Sequence, residues 1–199
     1  MNVGLRNDIK FSITNCLIAL YIIIFILEKV NGEGASMYYF ALNGYTVIDL
    51  KEYWRLFTNA FLHADIFHLF MNSSFIFLIG NGVEAMLGKT RYLALVIFTI
   101  LSSSAVIVLW DWQTGSQGFT IGASGFGFGL VGLLAGFAIM YPGRYYGKYL
   151  RDLFINIGIY ALLFMMMGVN VSWAGHIGGF VGGLIIALVL NVFFRKKEW

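Results

Sequence analysis

Three histidines, His63, His68 and His176, are the only imidazoles in the chain. Asn72 follows His68 by four residues, and a serine set among small residues stands in the run Ile121-Gly122-Ala123-Ser124-Gly125. A serine hydroxyl is a weak nucleophile until a base accepts its proton. An imidazole nitrogen about 2.6–3.2 Å away can do this. These residue types could therefore attack a carbonyl, provided the fold gathers them from distant parts of the chain. Histidines can also bind metal, but no His-Glu-x-x-His is present, and that spacing is the usual zinc-hydrolase signature. Imidazoles shared with a serine and an asparagine fit acyl transfer better. No metal and no other cofactor is expected.

The elements that must position them are set by composition. Of 199 residues, 59% are hydrophobic and 12% charged, against about 25% charged in soluble domains. That excludes a water-soluble globule, a disordered chain and a disulfide scaffold, for which the single Cys16 would not suffice. An all-α integral membrane protein remains. A span needs about 20 mostly apolar residues. Six stretches qualify: Phe11–Leu27, Ile66–Leu87, Arg91–Trp110, Ile121–Tyr141, Leu153–Val169 and Trp173–Phe194. They form one domain. The first is read as a retained helix, because its apolar run exceeds a signal-peptide core and no small-x-small cleavage site follows closely.

The net charge of +3 is too small to suggest nucleic acid, but its distribution is informative. Ten of 13 basic residues fall on one side: Arg6, Lys10, Lys89, Arg91, Arg144, Lys148, Arg151, Arg195, Lys196 and Lys197. The positive-inside rule then places both termini in the cytoplasm, as an even number of spans requires. The connection Lys29–Asp65 is the long one, on the outer side. Loops beyond about 12–15 residues are usually functional or disordered. This one is rich in aromatics, including Tyr38, Tyr39, Phe40, Tyr53 and Trp54, and is expected to lie in the membrane interface.

The second, fourth and sixth stretches all run from outside to inside. His68, Ser124 and His176 each lie a few residues from the outer start, so at 1.5 Å per residue they share a shallow depth. Asn72 shares the face of His68 one turn deeper. Gly125 and Gly129 in the fourth stretch, with Gly179 and Gly183 in the sixth, form small-xxx-small faces. Such faces let helices pack backbone to backbone in lipid, which a serine–histidine hydrogen bond would need. The run Ser102-Ser103-Ser104 is read as helix packing.

At this point the residues resemble the rhomboid intramembrane serine proteases over nearly the whole chain. The motifs are Trp54-Arg55 in the long loop, Phe61-Leu62-His63 leading to His68-x-x-x-Asn72, Glu84 at the far end of that span, Gly122-x-Ser124-Gly125-x-x-x-Gly129, and His176-x-x-Gly179-x-x-x-Gly183. The resemblance implies the six-helix rhomboid core and hydrolysis of peptide bonds in transmembrane protein substrates. It implies Ser124 as nucleophile, His176 as general base, and His68, Asn72 and the Ser124 backbone N–H as the oxyanion hole. Trp54, Arg55, His63 and Glu84 would be structural or tune the loop. Two positions depart from the family pattern. Phe128 stands where a tyrosine usually stacks on the histidine, and Gly175 stands where alanine usually precedes it.

Glu84 and Asp152 are expected at inner helix ends, and Asp65 and Asp111 on outer loops. None is expected to reach His176, so a dyad rather than a triad is predicted. Two rivals carry other expectations. A catalytically inactive rhomboid-like client binder would normally lack the serine or histidine. A transporter would place ionisable groups near the midplane, where this chain has no Asp, Lys or Arg. The substrate would be a membrane helix that unwinds near the outer face, since an intact helix hides its carbonyls. The minimal six-span chain without a targeting extension is expected in a bacterial plasma membrane.

Overall fold

A computed structural model describes residues 11–141 and 172–194. The expected fifth span, Leu153–Val169, lies outside the described residues. So do Arg6, Lys10, Arg144, Lys148, Arg151, Arg195, Lys196 and Lys197. The described chain is all-helical: α1 (Ile13–Asn31), α2 (Glu33–Phe40), α3 (Gly44–Ile48), α4 (Arg55–Thr58), a 3-10 turn (Asn59–Phe61), α5 (Ile66–Leu87), α6 (Lys89–Thr114), α7 (Ser124–Met140) and α8 (Trp173–Phe194). Among the described residues, four helices are long and apolar enough to cross a membrane: α1, α5, α6 and the Trp173–Asn191 part of α8. Helix α7 is apolar but has 17 residues.

Helix starts are marked by side-chain caps, which satisfy backbone N–H groups that have no partner in the first turn. Ser12 Oγ accepts from Asn15 N at α1, Asn43 Oδ1 from Tyr45 N at α3, and Asp65 Oδ1 from His68 N at α5. The single residue Gly88, at φ +76°, separates α5 from α6. One residue thus joins the two hydrophobic helices.

Three helices differ in extent from the sequence expectation. Helix α1 continues to Asn31, and the Lys29 ammonium reaches back over the Phe25 ring at 4.8 Å, keeping its charge close to the helix surface. Helix α6 continues to Thr114, so Asp111 sits within its last turn rather than on a loop. Its carboxylate is accommodated because the Gly44 N–H donates to Asp111 Oδ2 at 3.0 Å. Helix α7 begins at Ser124, not Ile121, because Gly122 adopts φ +121°. Side-chain-bearing residues rarely take that conformation.

The long connection is folded. The carbonyls that α2 leaves open at its C-terminal end are taken by the next segment. Arg55 donates to Tyr38 O (2.6 Å) and Ala41 O (2.7 Å). Trp54 Nε1 donates to Tyr39 O at 3.0 Å, and Thr58 Oγ1 to Phe40 O at 3.0 Å. Arg55 is 3% exposed and also pairs with Glu52 at 2.6 Å. Its cation lies at a helix C-terminus, where the backbone dipole favours positive charge. The Trp54-Arg55 pair thus staples the loop shut.

Glu84 does the corresponding work at the other end of the bundle. Its carboxylate accepts from Ile13 N (2.8 Å) and Thr14 N (2.9 Å), capping the start of α1. Thr14 Oγ1 lies 2.9 Å from Glu84 and 2.7 Å from Tyr92 OH, which joins α1, α5 and α6. A buried carboxylate is tolerated in such a place only when its lone pairs are taken by donors. Between these two ends runs an apolar core that includes Tyr21, Ile76, Leu95, Phe126, Leu130 and Leu133.

Candidate active site

Helices α7 and α8 meet along their glycine faces. A Cβ added at Gly179 would strike the Gly125 carbonyl, and one at Gly183 would strike the Gly129 carbonyl. Each glycine is therefore needed for the backbones to approach this closely. Helix α6 adds hydrogen bonds across the same interface. Ser103 Oγ donates to Gly175 O at 2.9 Å, and Ser102 Oγ to Gly178 O at 3.0 Å. The serine run pins α8 as well as packing against it.

This arrangement brings together residues 52 apart in sequence: His176 Nε2 lies 2.9 Å from Ser124 Oγ. The Phe128 ring stacks on the His176 imidazole, with centroids 4.1 Å apart and planes at 12°. Ring stacking thus fixes the imidazole plane without help from a phenolic hydroxyl. Among the described residues, no recorded hydrogen bond or ion pair joins His176 to a carboxylate. Asp65 caps α5, Glu84 caps α1, and Asp111 holds Gly44.

His68 and Asn72 converge on Gly122. A Cβ there would fall 2.8 Å from His68 Nε2 and 3.8 Å from Asn72 Nδ2. Gly122 therefore leaves open space beside two nitrogen donors, two residues before Ser124. The Ala64 N–H points at His68 Nδ1 at 3.4 Å, which assigns the ring proton to Nε2, the atom facing Gly122. Asn72 Nδ2 donates to His68 O at 3.0 Å, and its second amide proton remains for another acceptor. Ser124 is the first residue of α7, so its N–H belongs to the unpaired first turn, where the helix dipole favours negative charge. The Gly122 N–H donates to Asn59 O at 3.0 Å, and Asn59 Nδ2 to Ser104 Oγ at 2.9 Å. Leu42 and Thr120 form a two-bond bridge. The long loop thereby fixes the backbone that leads into Ser124.

His63 lies behind His68, with ring centroids 5.2 Å apart, and against Tyr21 of α1 at 5.4 Å. Burial, and then the neighbouring His68, pull its basicity down from 6.5 to about 3. The Phe61 backbone and the Asp65 carboxylate oppose that shift. His63 is a neutral wedge between α1 and His68.

The Rhomboid domain family matches residues 50–193. The chain belongs to the rhomboid family. It is an integral, multi-pass membrane protein. It is 26% identical over 191 residues to YdcA of Bacillus subtilis, covering 94% of this chain and 92% of that relative. It is 30% identical over 190 residues to the rhomboid protease GluP of the same organism, covering 92% of this chain and 36% of GluP. It is 29% identical over 143 residues to rhomboid-like protease 3 of Toxoplasma gondii, covering 70% of this chain and 52% of that protein. The chain thus spans nearly all of YdcA but about a third of GluP.

Within this rhomboid domain the structure places Ser124, His176 and Phe128 in direct contact and gathers His68, Asn72 and Gly122 beside them. Gly125, Gly129, Gly179 and Gly183 line the α7–α8 contact. Trp54, Arg55 and Glu84 act away from the site, as helix caps. Asn59, Ser103 and the Leu42–Thr120 bridge were missed by sequence reasoning. Asn59 carries no motif, and the Ser103 hydroxyl was indistinguishable from one bonded within its own helix.

Proposed function

We propose that this chain is an intramembrane serine endopeptidase acting through a Ser124–His176 dyad. The observation that carries it is the 2.9 Å contact between His176 Nε2 and Ser124 Oγ beneath the Phe128 stack. His176 takes the hydroxyl proton as Ser124 Oγ bonds to the scissile carbonyl carbon. The carbonyl oxygen, now an anion, is held by His68 Nε2–H, Asn72 Nδ2–H and the Ser124 N–H. Each such donor is worth about 2.7–4 kcal/mol in comparable sites. The C–N bond breaks, and the leaving amine takes the proton from His176. Water then adds to the acyl-enzyme and gives its proton to His176. That proton returns to Ser124 Oγ as the acid product departs.

The substrates are transmembrane proteins with a segment that unwinds near the outer membrane face, because a serine nucleophile needs an exposed carbonyl. A six-span core with both termini in the cytoplasm of a bacterial plasma membrane fits the basic-residue pattern. The relatives named as proteases support hydrolysis over the client-binding alternative, which has no need of the serine–histidine contact.

The test is cleavage of a model transmembrane substrate by the detergent-purified chain. Ser124→Ala should abolish cutting while leaving the helical content unchanged. A fluorophosphonate should label Ser124, and His176→Ala should prevent it. Cutting by Ser124→Ala at the wild-type rate, or labelling of another serine, refutes the dyad.

A further inference from the structure

Trp173 is the first residue of α8 and lies one helical turn before His176. Its indole stands edge-on to the His176 imidazole, with centroids 6.2 Å apart and planes at 79°. It is 58% exposed, although it touches a ring that the chemistry uses. The turn that carries it is fixed from several directions. Ser172 Oγ accepts from Gly175 N at 3.3 Å, and Ser103 Oγ donates to Gly175 O at 2.9 Å. A Cβ at Gly175 would meet Ile107 Cδ1 at 2.9 Å. The indole is therefore presented from a backbone that has little room to shift.

Two other sides of His176 are occupied. Phe128 covers a face of the imidazole, and Ser124 takes Nε2. The oxyanion donors His68 and Asn72 belong to α5, whereas Trp173 and His176 belong to α8. In the dyad mechanism His176 protonates the departing amine, so the leaving segment must lie over His176 on the α8 side. An exposed indole beside that path offers an apolar, rigid surface with a low entropic cost of contact.

We propose that Trp173 is a specificity-determining residue that contacts the first substrate residue on the leaving side of the cut and favours an apolar side chain there. This rests on the dyad assigned above. The acyl side of the substrate does not reach Trp173, so small acylating probes should feel it much less than peptides do.

The experiment uses the full chain in detergent and in liposomes, with transmembrane substrates that differ only in the residue following a cut mapped by mass spectrometry. Wild type should prefer leucine over glycine or aspartate at that place. Trp173→Ala should lower kcat/KM for the leucine substrate about tenfold, the range that small apolar contacts supply, and for the glycine substrate by less than twofold. Trp173→Phe should restore most of the preference. Acylation of Ser124 by a small fluorophosphonate, which has no leaving peptide, should fall by less than cleavage of the leucine substrate does. A leucine-to-glycine ratio equal in wild type and Trp173→Ala overturns the subsite, with Ser124→Ala inactive as the control on the dyad. A parallel fall in labelling and in cleavage of every substrate also overturns it, since Trp173 would then only hold His176 in place. Undiminished cleavage by Ser124→Ala overturns both the subsite and the dyad beneath it.

Discussion

Gly179 lies one turn beyond His176 and faces the helix that begins with Ser124. Adding a single methyl there tests whether backbone contact between α7 and α8 sets the catalytic distance. A Cβ at Gly179 would overlap the Gly125 carbonyl oxygen and sit 2.8 Å from its carbon. Both atoms belong to main chain, so no side chain can swing aside. The helices must separate by roughly 1 Å to restore ordinary packing, since interiors packed to this density do not compress. Ser124 Oγ and His176 Nε2, now 2.9 Å apart, would then pass beyond hydrogen-bonding range. A displacement of that size costs about 10²-fold in rate, and overpacking costs about 1–3 kcal/mol in stability. The greater helix propensity of alanine returns about 1 kcal/mol at most. Gly179→Ala should therefore lose about a hundredfold in cleavage and in fluorophosphonate labelling, with a smaller fall in thermal stability. Gly34→Ala is the control, because nothing lies within 4 Å of its added Cβ. Wild-type labelling by Gly179→Ala would show that the glycine contact does not govern the dyad.

Two further outcomes follow from neighbouring residues. His63 titrates at about 3 when folded and 6.5 when free, so the unfolded chain takes the proton first; stability holds above about pH 7 and drains away as the pH falls from 6.5 toward 3. Between pH 7.5 and 5 the loss should be about 2 kcal/mol, visible as a lower Tm in detergent. His63→Phe should flatten that acid limb, and an equal Tm drop in the variant would exclude His63 as its source. Phe128→Leu removes the ring stacked on His176, and cleavage should fall about tenfold with KM little changed, as expected when an aromatic pair worth about 0.5–1.5 kcal/mol is lost from a catalytic base. Unchanged kcat in that variant would assign orientation of the imidazole to other contacts.

Much of the bundle could be read from the chain because lipid imposes strict demands. Helices α5 and α8 begin and end where the apolar stretches do. Ser124 and His176 each stand a few residues from the start of an apolar stretch, and they lie 2.9 Å apart in the fold. The sequence and the fold part company by less than a turn there, since Ser124 opens α7 rather than lying inside a longer helix. The cause is Gly122, whose left-handed backbone has no signature apart from being glycine. Asp111 was misplaced for a related reason. A charge at the end of an apolar run looks like a loop unless its partner is known, and that partner is the backbone N–H of Gly44, 67 residues away.

The contrast between the bundle and the loop has one physical origin. Between helices in lipid no hydrophobic drive exists, so close packing must be written in residue type, as at Gly125, Gly129, Gly179 and Gly183. The loop is held by another currency, side-chain donors on backbone carbonyls: Arg55 on Tyr38 and Ala41, Trp54 on Tyr39, Thr58 on Phe40. Every residue carries a carbonyl, so the sequence marks the donor and is silent about the acceptor. Glu84 is the same case with the sign reversed, an acceptor whose donors are the anonymous N–H groups of Ile13 and Thr14. Arg55 and Glu84 therefore each close a helix end, and only the fold can say which one.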